Sequence, residues 1–184
     1  MLTNFFNSRK LDKQLATQRP RLYRLANSWC GDAMLADDLV QETLKKALIK
    51  QDQLNDFSRF EAWLFRILHN CWMEYLRAKK PALDIDDVDI QMDETAEAQL
   101  TEQQIVARVR QTIAILPLTQ RQVITLVDLE GASYSEVSEI LDIPLGTVMS
   151  RLSRARAMLK QRLTNIRPTN TSYEDTHRHL RSVK

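Results

Sequence analysis

LPLTQRQVITLVDLEGASYSEVSEILDIPLGTVMSRLSRARAML, residues Leu116 to Leu159, reads as helix, short helix, tight turn and then a basic helix with almost no acid in it. In that last helix Val148, Leu152, Ala155 and Leu159 recur at the spacing of one buried stripe. At about 100° per residue, Thr147, Ser150, Ser153, Arg154 and Ala157 point away from the stripe, and Arg151 and Arg156 flank it. Small and hydroxyl side chains let a backbone approach a DNA major groove, and arginines fork to guanine edges or phosphates. From Ile143 to Leu163 there are five Arg/Lys and no Asp or Glu, whereas a merely solvated face usually mixes the signs. The pattern predicts a helix-turn-helix with the basic helix as its reader; an ordinary helical hairpin with solvated arginines is the plainer alternative.

The turn between the helices supports this. Val137, Ile140 and Leu141 face inward on a short helix over Glu136–Leu141, and Asp142-Ile143-Pro144 breaks it, because a residue before proline resists the α region. Gly131 is a helix stop, Ser133 is placed to cap the short helix, and Thr147 is the expected cap of the reader.

Only three glycines and five prolines in 184 residues, with abundant Leu, Ala, Gln, Arg and Glu, point to an all-α protein. Cys30 and Cys71 have no metal-ligand spacing and are expected as reduced core residues of a cytosolic, that is cytoplasmic, protein. No secretion signal or bilayer-spanning run is expected. The net charge of +2 hides a segregated pattern. Between Pro81 and Gln104 there is no Lys or Arg, against Asp84, Asp86, Asp87, Asp89, Asp93, Glu94, Glu97 and Glu102. Such a block buries no core, so the chain divides into two small helical domains joined by an acidic flexible linker. The expected divisions are an N-terminal extension (1–19), a first helical domain (20–80), the linker (81–104), a helix-turn-helix domain (105–166) and a polar tail (167–184).

The first domain should hold three or four helices. Over Asp37–Lys50, Val40, Leu44, Ala47 and Leu48 make an inward stripe, with Asp38, Glu42 and Lys46 outside at i, i+4 spacing; on physics alone these are a solvated face. Over Phe60–Lys80, Leu64, Ile67, Leu68, Cys71 and Tyr75 form the core face. Trp63, Arg66, Asn70 and Arg77 share another arc, with Glu74 close beside. An indole, an amide and two guanidiniums in one stripe suit single-stranded nucleic acid, and Arg77-Ala78-Lys79-Lys80 suits a duplex backbone. The competing reading packs Trp63 on a neighbouring helix.

These residues resemble the extracytoplasmic-function (ECF) group of the bacterial sigma-70 family, the promoter-recognition subunits of RNA polymerase. The likeness is carried by Asp37-Asp38-Leu39-Val40-Gln41-Glu42-Thr43, by Phe60 to Arg77 with Trp63-Leu64 and Asn70, by Leu116-Pro117 with Arg121, and by Glu130-Gly131 through Leu159. It spans the chain from about Leu22 to Leu163. It implies that the first domain is a region 2-like bundle and the second a region 4-like helix-turn-helix. It further implies that Asp37, Asp38, Leu39, Gln41 and Glu42 dock on core RNA polymerase. The loop residues Asn55, Asp56, Phe57, Ser58 and Arg59, with Trp63, Arg66, Asn70, Arg77, Lys79 and Lys80, would engage the −10 element as its strands separate. Thr147, Ser150, Arg151, Ser153, Arg154 and Arg156 would bind the −35 element. In this picture the acidic tether either threads a positively lined channel or is a plain solvated linker.

The expected function is therefore a promoter-specificity sigma factor, not an enzyme, needing no cofactor or metal. Its partners would be core RNA polymerase, promoter DNA and an anti-sigma protein, in a stress or envelope response. The alternative is a stand-alone helix-turn-helix regulator that binds duplex DNA without polymerase. His69, His177 and His179 are the only histidines and do not converge on a metal site.

Overall fold

Helices account for nearly all of the computed structural model, which describes residues 2–54, 56–79, 98–163 and 166–168. The linker over 81–97, Asn55, Lys80 and the tail beyond residue 168 lie outside the described residues. Seven α-helices run in chain order among those described: α1 (Leu2–Cys30), α2 (Ala33–Ile49), α3 (Phe60–Lys79), α4 (Glu102–Ala114), α5 (Leu118–Ile124), α6 (Tyr134–Leu141) and α7 (Leu145–Leu163). One exception to the all-helical expectation is a two-stranded parallel pairing of β1 (Ala98–Leu100) with β2 (Ile166–Pro168). It joins the chain entering α4 to the chain leaving α7.

α1 continues straight through the expected boundary at Pro20. Proline removes one helical hydrogen bond, but Leu11 and Leu15 before it and Leu22, Leu25, Ala26 and Trp29 after it are all buried. Burial of apolar surface on both sides outweighs one lost bond. Gly31 at φ +69° ends the helix, a conformation that costs glycine no Cβ clash. Asp32 then caps α2, accepting from the backbone N–H of Met34 (2.9 Å) and Leu35 (3.2 Å). α2 thus begins four residues before the expected Asp37 start.

The inward stripe of α2 holds Val40 and Ala47, but Leu48 is exposed and Leu39 takes its place in the core. On α3 the buried set is Phe60, Leu64, Phe65, Ile67, Leu68, Cys71 and Trp72. This is wider than one amphipathic stripe because α3 packs on α2 along one side and on α6 along another. Cys30 and Cys71 are free thiols, and burial pushes both above the ordinary thiol range.

In the second module α5 passes into a π-helical turn, Thr125–Leu129, closed by the Glu130 N–H donating to the Thr125 carbonyl at 3.0 Å. Gly131 at φ +73° stops it. Ser133 caps α6 in a reciprocal capping box with Glu136. Asp142 at φ 54° terminates α6 in the left-handed region, where a short polar side chain is tolerated. Thr147 does not cap α7: the helix starts at Leu145, and the N–H groups of Thr147 (2.8 Å) and Val148 (3.1 Å) already donate to the Pro144 carbonyl.

The two modules do not keep separate cores. Buried residues of α1–α3 and of α5–α7 form one contiguous cluster. α3 lies against α6, and α1 touches α4, α5 and the π turn. Each module's periodicity specifies its own buried stripe but says nothing about a second stripe reserved for the other.

Candidate nucleic-acid interface

α7 presents two faces. Val148, Leu152 and Ala155 are buried, while Ser150, Ser153, Arg154 and Ala157 are exposed and Thr147 and Arg151 half-buried. The exposed arc has a short-side-chain floor with a guanidinium beside it, the shape a groove-reading helix needs. Arg156 is placed differently from the others. Its Nε and a terminal nitrogen both donate to the Asp128 carboxylate, at 3.1 and 2.6 Å, and this pairing raises its pKa. That fork ties α7 to the π turn.

On α3 Arg66 and Asn70 are exposed and Trp63 is half-buried on the same arc. Trp63 meets both sequence readings: its ring leans on Phe60, which stacks on the exposed Phe57. The three rings make a row leading from the loop onto the helix. Asp56 opens the loop by accepting from the Ser58 N–H (2.8 Å) and hydroxyl (2.6 Å), which hold its carboxyl below the ordinary range. Arg59 pairs with Glu139 of α6. Arg77 turns back to the Met73 carbonyl (3.2 Å), and Lys79 sits over the Tyr75 ring. Glu74 does not join the α3 arc; it pairs with Lys46 of α2 at 2.5 Å, which lowers its pKa.

The acidic segment of α2 is likewise divided. Asp38 and Gln41 are exposed and Glu42 half-buried beside Lys45 and Lys46. Asp37 is engaged by Arg19 (2.6 Å) and by the Gln41 amide (2.8 Å). Leu39, only 5% exposed, faces the core, so it can shape a docking face only from beneath.

Among the described residues no group of three His, Cys, Asp or Glu side chains could hold a metal ion, and no helix is long and apolar enough to cross a membrane.

A reader helix in the second module and an aromatic, basic arc in the first coincide with two family models. One described as Sigma-70 region 2 matches residues 15–81, and one described as Sigma-70, region 4 matches residues 107–159. The ECF RNA polymerase sigma factor EcfG of Rhodopseudomonas palustris is 36% identical over 142 residues, covering 76% of this chain and 77% of that protein. The chain belongs to the ECF group of RNA polymerase sigma factors. The ECF RNA polymerase sigma-E factor of Escherichia coli is 37% identical over 141 residues, or 68% of this chain and 72% of its own. Among solved structures, the sigma factor RpoE in complex with the anti-sigma factor NepR from Bartonella quintana is similar at a TM-score of 0.66 and 30% identity, covering 84% of this chain and 97% of that one. CnrH in complex with the cytosolic domain of CnrY is similar at 0.61 and 28%, covering 85% and 88%. As an ECF sigma factor the chain directs promoter recognition by RNA polymerase and has no catalytic chemistry of its own.

Several residues that organise this sigma factor escaped the sequence reading. Trp29 donates its indole N–H to Thr125 at 2.9 Å, and Arg121 donates to the Trp29 carbonyl at 3.0 Å. Arg21 reaches the Glu130 carboxylate and, at 2.7 Å, its carbonyl, while His69 meets Gln122. Arg121 and Glu130 stand within the motifs that carry the family likeness. Their partners in the first module carry no local signal, since each lies about a hundred residues away.

Proposed function

We propose that this sigma factor uses the exposed arc of α7 to bind duplex DNA at the −35 element and the Phe57–Trp63–Arg66–Asn70 arc to hold the separating strands of the −10 element. The observation that carries this reading is the segregation on α7, with an acid-free, short-side-chain face outside and an apolar stripe inside. Thr147, Ser150, Arg151, Ser153 and Arg154 are the reader residues. Arg156 joins them by holding a phosphate only when it leaves Asp128. In the first module Arg59, Arg77 and Lys79 add phosphate contacts; Asn55 and Lys80 belong to the same set by their place in the sequence. Bases stack on the aromatic row while cations hold the backbone.

Asp38, Gln41 and Glu42 form the docking face for core polymerase, supported by Leu39 and by Asp37 through its bond to Gln41. The domains are 20–80 for polymerase and the −10 element and 105–166 for the −35 element, with the acidic stretch 81–104 between. Residues 1–19 extend the first and 167–184 trail the second. The factor acts in the cytoplasm under an anti-sigma protein, in a stress or envelope response; the solved complexes of RpoE with the anti-sigma factor NepR and of CnrH with the cytosolic domain of CnrY support this. Run-off transcription with core polymerase on a genomic promoter library tests the whole reading. Sigma-dependent starts sharing two spaced elements are expected. A chain that binds promoter tightly by itself, with core adding nothing, would instead be a stand-alone regulator.

A further inference from the structure

α7 carries two large apolar side chains that the fold leaves in solvent. Leu145 is 48% and Met149 53% exposed, while Val148 and Leu152 are buried and Met158, Leu159 and Leu163 half-buried. The pair is spaced i, i+4, so both lie on one side of the helix. At about 100° per residue Met149 stands roughly 40° from Ser153 and roughly 60° from Leu152. It therefore occupies the flank where the outward face meets the buried stripe.

The two flanks of the outward face differ in chemistry. Thr147, Arg151 and Arg154 lie on one, and their side chains can hydrogen-bond to phosphates and base edges. On the other, Arg156 follows Met149 by two turns and is held by the Asp128 carboxylate at 3.1 and 2.6 Å. The cation of that flank is already engaged, and the groups left around Met149 are apolar or small. The run from Ile143 to Leu163 contains no acid, so the surroundings of this apolar edge attract a polyanion rather than an apolar protein face.

In the major groove the base edges offer hydrogen-bonding groups and one apolar group, the C5-methyl of thymine. The first turns of a reader helix are the part that reaches base edges, and Met149 stands in the second turn of the 19-residue α7. Its unbranched thioether chain adapts to an irregular apolar surface. We propose that Met149, with Leu145 one turn before it, is a thymine-methyl contact that selects a T·A pair where this flank faces the −35 element. This rests on the proposed assignment of α7 to that element and adds a specificity-determining residue to it. The methyl preference is separable from the reading by Arg154, because uracil keeps every hydrogen-bonding group of thymine and lacks only the methyl.

The test uses the full chain assembled with core polymerase. The probe is a promoter duplex recovered from the genomic library, with each thymine of its upstream element replaced in turn by deoxyuridine. At one or more of these positions the wild type should bind the deoxyuridine duplex roughly fourfold more weakly, the worth of one buried methyl. Met149→Ala should bind both duplexes equally, Met149→Leu should keep the preference, and Arg154→Ala should weaken both duplexes while retaining it. An upstream element without thymine, no sensitivity at any thymine, or the same sensitivity in Met149→Ala would overturn the contact. So would a Met149→Ala chain that loses affinity for core polymerase with its methyl preference intact, which would make the edge a protein contact. Should the alanine variant lose its helical circular dichroism, Met149→Gln, a polar chain of similar length, takes its place under the same readings. A wild-type holoenzyme that leaves no footprint upstream would instead sink the assignment of α7 to the −35 element, and the methyl contact with it.

Discussion

The side-chain amide of Gln122 on α5 donates to Nδ1 of His69 on α3, at 3.2 Å, across the seam between the modules. An amide nitrogen only donates, so His69 is neutral there, with its proton on the other ring nitrogen. The imidazole also meets the Trp29 ring edge-on at 6.2 Å. At this position α3 packs against the second module, next to the exposed Asn70 of the arc proposed to hold separated strands.

Burial depresses the pKa of His69 to about 4; Asp142 at the end of α6 opposes the shift and Arg66 on α3 adds to it. The packed form therefore binds fewer protons than the opened or unfolded form. Its stability is full above about pH 6.5, the ordinary histidine value, and falls as pH drops toward 4, by about 3 kcal/mol in all. Thermal unfolding at pH 7.5 and 5 should show this loss, and His69→Gln should flatten it. A pH profile unchanged by that substitution would place the sensitivity elsewhere.

Thr125→Val removes the acceptor of the Trp29 indole while keeping the shape. It leaves a buried N–H unpaired, so a loss of about 1–3 kcal/mol is expected, read from the urea midpoint. A change near zero would mean that the indole finds another partner.

Arg154 and Arg156 should behave differently although they are two residues apart. Arg154→Ala should weaken binding to the −35 element by about 1–3 kcal/mol if it reads a base. Arg156→Ala loses an exposed ion pair worth about 0–1 kcal/mol of stability and should reduce DNA affinity only through its salt dependence. Footprinting and salt titration separate the two, and equal base-specific losses would contradict the distinction.

Asp38→Arg reverses the most exposed carboxylate of the proposed docking face on α2 and should abolish association with core polymerase in gel filtration. The second module should still bind duplex. Normal holoenzyme assembly would move the docking face off α2.

Ser133→Ala breaks the capping box at α6. A loss of about 0.5–2 kcal/mol is expected, and because α6 packs on both α3 and α7 it should appear in the unfolding of the whole chain. A second, separate transition would show that the modules melt independently.

Much of this molecule is legible from local pattern. The stripes of α3 and α7, the stop at Gly131 and the cap at Ser133 follow from periodicity and from backbone groups that must be satisfied within a few residues. The start of α2 is equally local, since Gly31-Asp32 is a stop followed by a cap, four residues before the Asp37 stretch that carries the family likeness. Pro20 shows the opposite case. A local breaker signal was overridden by leucines buried on both sides of it.

What the order of amino acids could not disclose is which apolar and charged groups meet across the gap between the modules. Phe65 and Trp72 look surplus to one stripe of α3, yet both are buried in the fold, with the Arg21 guanidinium of α1 over the Phe65 ring. Arg21, Trp29 and His69 look unremarkable until Glu130, Thr125 and Gln122 arrive from the far end of the chain. Helical periodicity reports the side of a helix that avoids water, because that choice repeats every turn. It carries no record of the partner, because complementarity between distant residues is settled only when the folded surfaces come together and each buried polar group must find its match.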